Sequence, residues 1–328
     1  MADYMLQVKG LKTYYYTEEG VVPAVDGLDF EVAQGETFAI VGESGCGKSV
    51  TSLSILGLIP NPPGKIIAGE ILYNGEDLLK KTEKQMRAIR GNEISMIFQE
   101  PMTSLNPVFT VGRQISESFK YHQHLGKKEA RDRAIEMLRL VGIPSPDKVV
   151  DDYPHQLSGG MRQRVMIAMA LACNPRVLIA DEPTTALDVT IQAQIMRLLK
   201  QLKEKMGTSI ILITHDLGVV AQIAQRVMVM YCGEAVECCA AREIYKNPLH
   251  PYTSGLLASV PKLTDDDMAE LPAIPGMVPS PSELPKGCRF APRCGKCGPR
   301  CLQEKPELVE LEDGHKVRCF LYEGGVGK

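Results

Sequence analysis

No apolar run in this chain of 328 residues reaches the roughly 18 needed to cross a bilayer as a helix, so no transmembrane span is expected. The N-terminus does not read as a secretory leader, so none is expected. Met1-Ala2-Asp3-Tyr4-Met5 carries an early acid and lacks a basic segment followed by an apolar one, so the chain is expected in the cytosol. There is no basic surplus either. The 37 Lys and Arg face 40 Asp and Glu, and the net charge of −3 excludes a general nucleic-acid binder while leaving room for local basic patches. Internal repeats and low-complexity tracts are absent. What remains is a globular composition, 44% hydrophobic, and a length that fits one large domain or a domain with an appendage.

Cysteine is plentiful, with ten residues. Cys46, Cys173, Cys232, Cys238 and Cys239 are scattered or sit in apolar surroundings and read as small buried hydrophobes. The other five, Cys288, Cys294, Cys297, Cys301 and Cys319, crowd into the C-terminal end. In a reducing compartment such crowding favours a metal over disulfides.

Residues 1–80 alternate strand-like runs with turn signals, such as Leu6-Gln7-Val8 and the stretch from Gly69 that ends in the turn dipeptide Asn74-Gly75. The strand Thr37–Val41 runs into a glycine-rich loop and a helix over Ser49–Leu58. Residues 112–142 have helical spacing, closed by Gly142 and Pro144. The apolar strands Val177–Ala180 and Ile210–Ile213 flank a helix near Val189–Lys205, which makes a parallel βαβ unit. Beyond about residue 245 proline becomes frequent and periodicity fades. Residues 246–328 are therefore expected to form an appendage that has little core of its own and needs a metal to fold.

Gly42-Glu43-Ser44-Gly45-Cys46-Gly47-Lys48-Ser49 fits the spacing of a phosphate loop and has the strand before and helix after that the motif requires. Backbone N–H groups from Gly45 to Ser49 can cradle a phosphate, Lys48 can reach the β and γ oxygens, and Ser49 can ligate Mg²⁺. Asp181 and Glu182 end an apolar strand, where ligands collect in parallel sheets. Asp181 can hold Mg²⁺ through water and Glu182 can polarise an attacking water. His215 and Gln99 end two further strand signals; His215 could meet the γ-phosphate, and Gln99 the metal and the water. In Leu157-Ser158-Gly159-Gly160-Met161-Arg162-Gln163-Arg164, Ser158 can cap the following helix, whose N-terminus is a second anion site.

In this order the motifs resemble those of the ATP-binding subunits of ABC transporters, over about residues 5–245. The resemblance implies an α/β fold: a P-loop NTPase parallel core, an antiparallel β subdomain, a helical subdomain near 100–165, and a small Cys-rich C-terminal appendage. The loop is similar to Walker A, with Gly42, Ser44, Gly45, Cys46, Gly47, Lys48, Ser49 and Val50 around ATP. Gln99 resembles the Q-loop glutamine and Leu157–Arg164 the ABC signature. Asp181 and Glu182 resemble the Walker B aspartate and catalytic glutamate, Ala186-Leu187-Asp188 the D-loop, and His215 the switch histidine. Of Tyr14, Tyr15 and Tyr16, Tyr15 best fits the spacing of the tyrosine that stacks on adenine. The resemblance further implies that Ser158 and Gly160 touch the γ-phosphate of a nucleotide held by a second ATPase subunit.

Asn247-Pro248-Leu249-His250-Pro251-Tyr252-Thr253 and Gly287-Cys288-Arg289-Phe290-Ala291-Pro292-Arg293-Cys294 are similar to the tail of the peptide and nickel importer branch. That implies a motor for di- or oligopeptide uptake on the cytoplasmic face of the cell membrane. Its partners would be two transmembrane permease subunits, a paralogous ATPase in a heterodimer, and, indirectly, an extracellular binding protein. Nickel import is the alternative within the branch. A soluble, non-transport ABC ATPase is the alternative outside it, although the two cassettes or coiled-coil insertions usual there are missing. Read from spacing, Cys294-x2-Cys297 leaves zinc open, and four thiolates can equally hold a [4Fe–4S] cluster. The resemblance implies the cluster, on Cys288, Cys294, Cys301 and Cys319, with Cys297 spare.

Overall fold

The structure is a computed structural model and describes residues 4–99, 104–185, 187–260, 272–312 and 314–323. The chain divides into two compact units, each assembled from separate stretches of sequence. One comprises Met1–Met5, Val32–Glu36 and Leu78–Ile213; the other comprises Leu6–Glu31, Thr37–Asp77 and Thr214–Lys328.

The second unit holds the phosphate loop. An antiparallel sheet runs in the order Gly20–Ala33, Tyr4–Thr17, Gly64–Tyr73, Glu76–Asp77. Its last two strands pair Leu72 with Asp77 and Tyr73 with Glu76. The turn between them is the expected Asn74-Gly75, with φ of 49° and 81°, the doubly left-handed geometry that matches the twist of a two-residue hairpin. In the same unit Thr37–Val41 lies parallel to Arg226–Tyr231, pairing Phe38 with Arg226 and Val41 with Val229. All five residues of Thr37–Val41 are buried, as in a parallel strand covered on both faces. Glu234–Ala240 follows antiparallel, and the tail strand Lys316–Val317 extends it by pairing Val317 with Glu237.

The stretch from 246 onward, expected to have little core of its own, packs within the second unit. Its described residues share a core with the strands: Tyr252 and Phe290 pack with Val227, Val229 and Tyr231. The Tyr231 ring lies 4.6 Å from Tyr252 and 5.3 Å from Phe290, centroid to centroid. Fully burying such a side chain contributes roughly 1.5–3 kcal/mol. The fully buried carboxylate of Glu237 accepts the Leu249 N–H at 2.8 Å and the His250 N–H at 2.9 Å, with His315 Nε2 at 2.8 Å.

The first unit carries three adjacent parallel strands, Ile94–Ile97, Val177–Asp181 and Ser209–Thr214, with Ile94 opposite Val177 and Val177 opposite Ser209. The helix Val189–Met206 connects the last two, completing the expected βαβ unit. Asp188 caps it by accepting the Ile191 N–H, and Gly207 ends it at φ 69°. The helical signal over 112–142 resolves into two helices, Val111–His122 and Lys127–Leu140. The break falls where His124 takes φ 56° and Gly126 starts the second helix, and Ser116 ties the pair by donating to the Ala130 carbonyl at 3.0 Å. Gly142, at φ 74°, ends the second helix as expected: its N–H bonds the Arg139 carbonyl and the Ile143 N–H bonds the Leu138 carbonyl. Among the described residues no helix is long and apolar enough to cross a membrane.

Candidate active site

The phosphate loop folds as its glycines require. Gly42, Gly45 and Gly47 have φ of 155°, 79° and 103°. A Cβ on Gly42 would lie 2.3 Å from the Met230 carbonyl oxygen, and one on Gly47 2.2 Å from that of Ala24. Any other side chain at either position would force the backbone apart. Helix Lys48–Ile55 starts at Gly47 without a side-chain cap. Its first N–H groups, on Lys48, Ser49 and Val50, have no intrahelical acceptors, which makes them donors for an anion. Lys48 Nζ donates to the Gly42 carbonyl at 2.9 Å and the Glu43 carbonyl at 3.1 Å, folding the ammonium over its own loop. Cys46 is buried, and burial raises its thiol pKa, so it fills space rather than acting as a nucleophile.

Thr13 and Tyr15 share one face of their strand, because side chains alternate. Thr13 Oγ1 and Ser54 Oγ are 2.8 Å apart, which turns this face toward the phosphate-loop helix. Tyr14 points the other way and donates to Asp26 at 2.9 Å. Tyr15 is half-buried beside Gly64, whereas Tyr16 is half exposed.

In the first unit Asp181, buried, ends its strand, and Glu182 follows in the left-handed region at φ 46°. Such a conformation is uncommon for a side chain of this size and clusters at functional positions. The Glu182 N–H donates to the Ile213 carbonyl at 2.8 Å. Its carboxylate accepts the Gln99 amide at 3.1 Å and the Thr185 hydroxyl at 2.9 Å. Two residues expected to serve one water are thus bonded to each other, and Thr185 joins them unforeseen by the sequence. His215 is exposed, immediately after the strand Ser209–Thr214. Ala186 lies outside the described residues, while Leu187 and Asp188 lead into the capped helix.

The signature segment caps its helix as expected. Ser158 Oγ accepts the Met161 N–H at 3.3 Å at the head of Gly159–Leu171. Leu157 is buried and anchors the turn, whereas Ser158 and Gly159 are exposed. A Cβ on Gly160 would lie 3.0 Å from the Ile191 side chain, which would have to shift to admit it. Arg162 and Arg164 are spent on the Pro154 and Val141 carbonyls, at 2.8 and 2.6 Å.

Two further residues reach the phosphate loop from the tail, and the sequence did not single them out for it. The Glu43 N–H donates to Tyr252 Oη at 2.9 Å. Arg293 forks onto the Glu43 carboxylate at 2.7 and 3.2 Å. A second tail arginine, Arg289, pairs with Asp26 and Glu234 in a largely buried ionic cluster. Burial pushes the Asp26 carboxyl up, but the Tyr14 hydroxyl, Lys305 and Arg289 outweigh it and bring it down to about 2.

The four cysteines Cys288, Cys294, Cys301 and Cys319 line one cavity of about 190 Å³, with Phe290 and Phe320. Cys297 is exposed and does not line it. The Cys288 N–H donates to the Cys301 carbonyl at 2.8 Å, fixing two of the four segments together. Burial pushes the Cys288 thiol up to about 11 and raises Cys294 and Cys319 as well. None of the ten cysteines is in a disulfide. Among the described residues no group of three or more His, Cys, Asp or Glu is gathered as it would be around a metal ion.

Comparison with known proteins agrees with this geometry. Residues 25–185 match the ABC transporter family and residues 236–301 the C-terminal region of the oligopeptide/dipeptide transporter family. The oligopeptide transport ATP-binding protein AppD of Bacillus subtilis is 57% identical over 97% of both chains. The dipeptide transport ATP-binding protein DppD of the same organism is 53% identical over 97% of this chain and 94% of its own. A solved ATP-binding cassette, dimeric and bound to ADP and Pi, superposes with a TM-score of 0.64 at 32% identity, covering 73% of this chain and 99% of its own. The chain belongs to the ABC transporter ATPases, in the branch that carries the oligopeptide/dipeptide transporter C-terminal region.

Proposed function

We propose that the chain is the ATP-hydrolysing motor subunit of a membrane importer for di- or oligopeptides. The observation that carries the catalytic part is Glu182: a carboxylate held at positive φ just after a buried strand, with the Gln99 amide and Thr185 hydroxyl on it. Glu182 polarises the attacking water. Gln99 positions it and, with Ser49 and Asp181, serves Mg²⁺. Gly42, Ser44, Gly45, Cys46, Gly47, Lys48, Ser49 and Val50 bind the phosphates, Tyr15 stacks on adenine, and His215 contacts the γ-phosphate. A glutamine at 182 cannot take the proton, so Glu182→Gln should lower turnover by at least about 10²-fold. It should also hold the chain in an ATP-bound dimer on size exclusion. Full ATPase activity in that variant would end this assignment.

The exposed Ser158 and Gly159 support a nucleotide shared with a second subunit, where Ser158 and Gly160 touch the γ-phosphate bound by the partner. A solved ATP-binding cassette of similar fold is a dimer bound to ADP and Pi. For this chain we take a paralogous ATPase as the partner, two transmembrane permease subunits as the load, and an extracellular binding protein as the indirect source of cargo. The site of action is the cytoplasmic face of the membrane. Peptide is favoured over nickel by the relatives' names, oligopeptide and dipeptide transport proteins. A soluble non-transport ATPase would have no use for the tail region matched over 236–301.

A second reading concerns the cysteines. What supports a [4Fe–4S] cluster on Cys288, Cys294, Cys301 and Cys319 is that all four line one cavity; zinc is the alternative. When bound it would cross-link the proline-rich tail and could carry one electron. Thiols must deprotonate to bind such a group, and burial, which raises the Cys288, Cys294 and Cys319 thiols, works against that step until the group is bound. The full chain purified without oxygen should show a broad visible absorption and bound iron; a colourless protein with one zinc overturns the cluster.

A further inference from the structure

An anion-binding loop that carries a carboxylate opposes its own ligand, and Glu43 is the second residue of the phosphate loop. We propose that Arg293 is a positioning residue for nucleotide binding. It turns the Glu43 carboxylate away from the phosphates and neutralises it, so that the C-terminal tail sets the affinity of the loop for ATP. This rests on the reading of Gly42–Ser49 as the ATP phosphate site.

The geometry is that of a built contact. The two guanidinium nitrogens meet the two carboxylate oxygens at 2.7 and 3.2 Å, the bidentate form that planar groups favour. The Arg293 side chain is 5% exposed and Glu43 27%, so the pair is shielded from screening by salt. Arg293 Nε also donates to the Pro275 carbonyl at 3.1 Å, which fixes the plane of the fork. Glu43 is gripped from two more directions: its N–H by Tyr252 Oη at 2.9 Å, its carbonyl by Lys48 Nζ at 3.1 Å. The same lysine is the loop's cation, so the position of Glu43 and the charge presented to phosphate are linked. Arg293 precedes Cys294, which lines the cysteine cavity, so the fold of the tail and the set of the loop are joined through one backbone step.

The test is the affinity of the full-length chain for trinitrophenyl-ATP, with ATP hydrolysis measured alongside. Arg293→Gln strands a carboxylate beside the phosphates and should raise Kd about tenfold (about 1.4 kcal/mol), and KM with it, while kcat at saturating ATP stays within about twofold. Adding Glu43→Gln removes the stranded charge and should bring Kd back to within about twofold of the native chain. Loss of packing alone would not be relieved in this way. Arg293→Lys, which keeps the charge, should cost only about threefold, relieved likewise by Glu43→Gln, and serves if the glutamine variant fails to fold. An unchanged Kd in Arg293→Gln, or a double variant as weak as the single one, overturns the proposal. Lys48→Ala separates the two readings: it should abolish binding, and if it binds like the native chain the phosphate-loop assignment itself is wrong, whatever Arg293 does.

Discussion

Single residues in this protein are legible from sequence when their chemistry depends on neighbours in the chain. Lys48, Ser158, Asp181 and Glu182 all fall within short motifs. Arg293 was not assigned this way, because an arginine between proline and cysteine looks like any surface cation until the chain brings it, 250 positions away, onto Glu43. His250 is a similar case. Its Nδ1 accepts the Tyr252 N–H at 3.1 Å, which only an unprotonated ring can do. Burial accordingly drives its pKa from 6.5 down to about 4. The unfolded chain takes up a proton near 6.5 and the folded chain only near 4. Between those values the unfolded state binds more protons, so stability falls as pH falls through that window, by up to about 1.4 kcal/mol per pH unit. Chemical denaturation of the native chain from pH 7 to 4 should show that slope, and His250→Asn, which keeps an acceptor but not the titration, should flatten it.

At the scale of elements, the strands and the capped helices follow their local signals. Asn74-Gly75 makes its hairpin, Asp188 and Ser158 start their helices, and Gly142 ends one, because each needs only the backbone preferences of a few residues. The break at 123–126 falls where the sequence holds only Leu125 as an apolar residue, His124 leaves the helical region and Gly126 starts the next helix. The phosphate-loop glycines show how far local rules reach. Gly45 and Gly47 both have positive φ, yet only at Gly47 would a Cβ strike backbone, 2.2 Å from the Ala24 carbonyl oxygen. Gly45→Ala should therefore cost about 1 kcal/mol, the left-handed penalty alone. Gly47→Ala should cost more, up to about 3 kcal/mol, and should also displace the helix N-terminus and weaken nucleotide binding. Denaturant midpoints and nucleotide affinity of the two variants check this; equal losses would show that the Ala24 contact yields freely.

For the whole molecule, composition and contacts divide the chain differently. Composition changes near residue 245, where proline rises and periodicity fades, but compactness follows contacts. Thr214–Lys328 forms one unit with Leu6–Glu31 and Thr37–Asp77. Glu237, Tyr252 and Phe290 show why: a segment too poor in apolar residues to fold alone borrows a core, and its backbone polar groups are met by a buried carboxylate. The sequence by itself determined the nucleotide motifs, their order, and hence the family, because phosphate and metal binding require particular residues at fixed short spacing. Only the tertiary structure decided that Gln99 and Thr185 share the carboxylate of Glu182, that four cysteines line one cavity, and that the tail holds the phosphate loop through Arg293 and Tyr252. Gln99 with Glu182, and Arg293 with Glu43, share no sequence window, so the folding of the chain alone could bring them within hydrogen-bond distance.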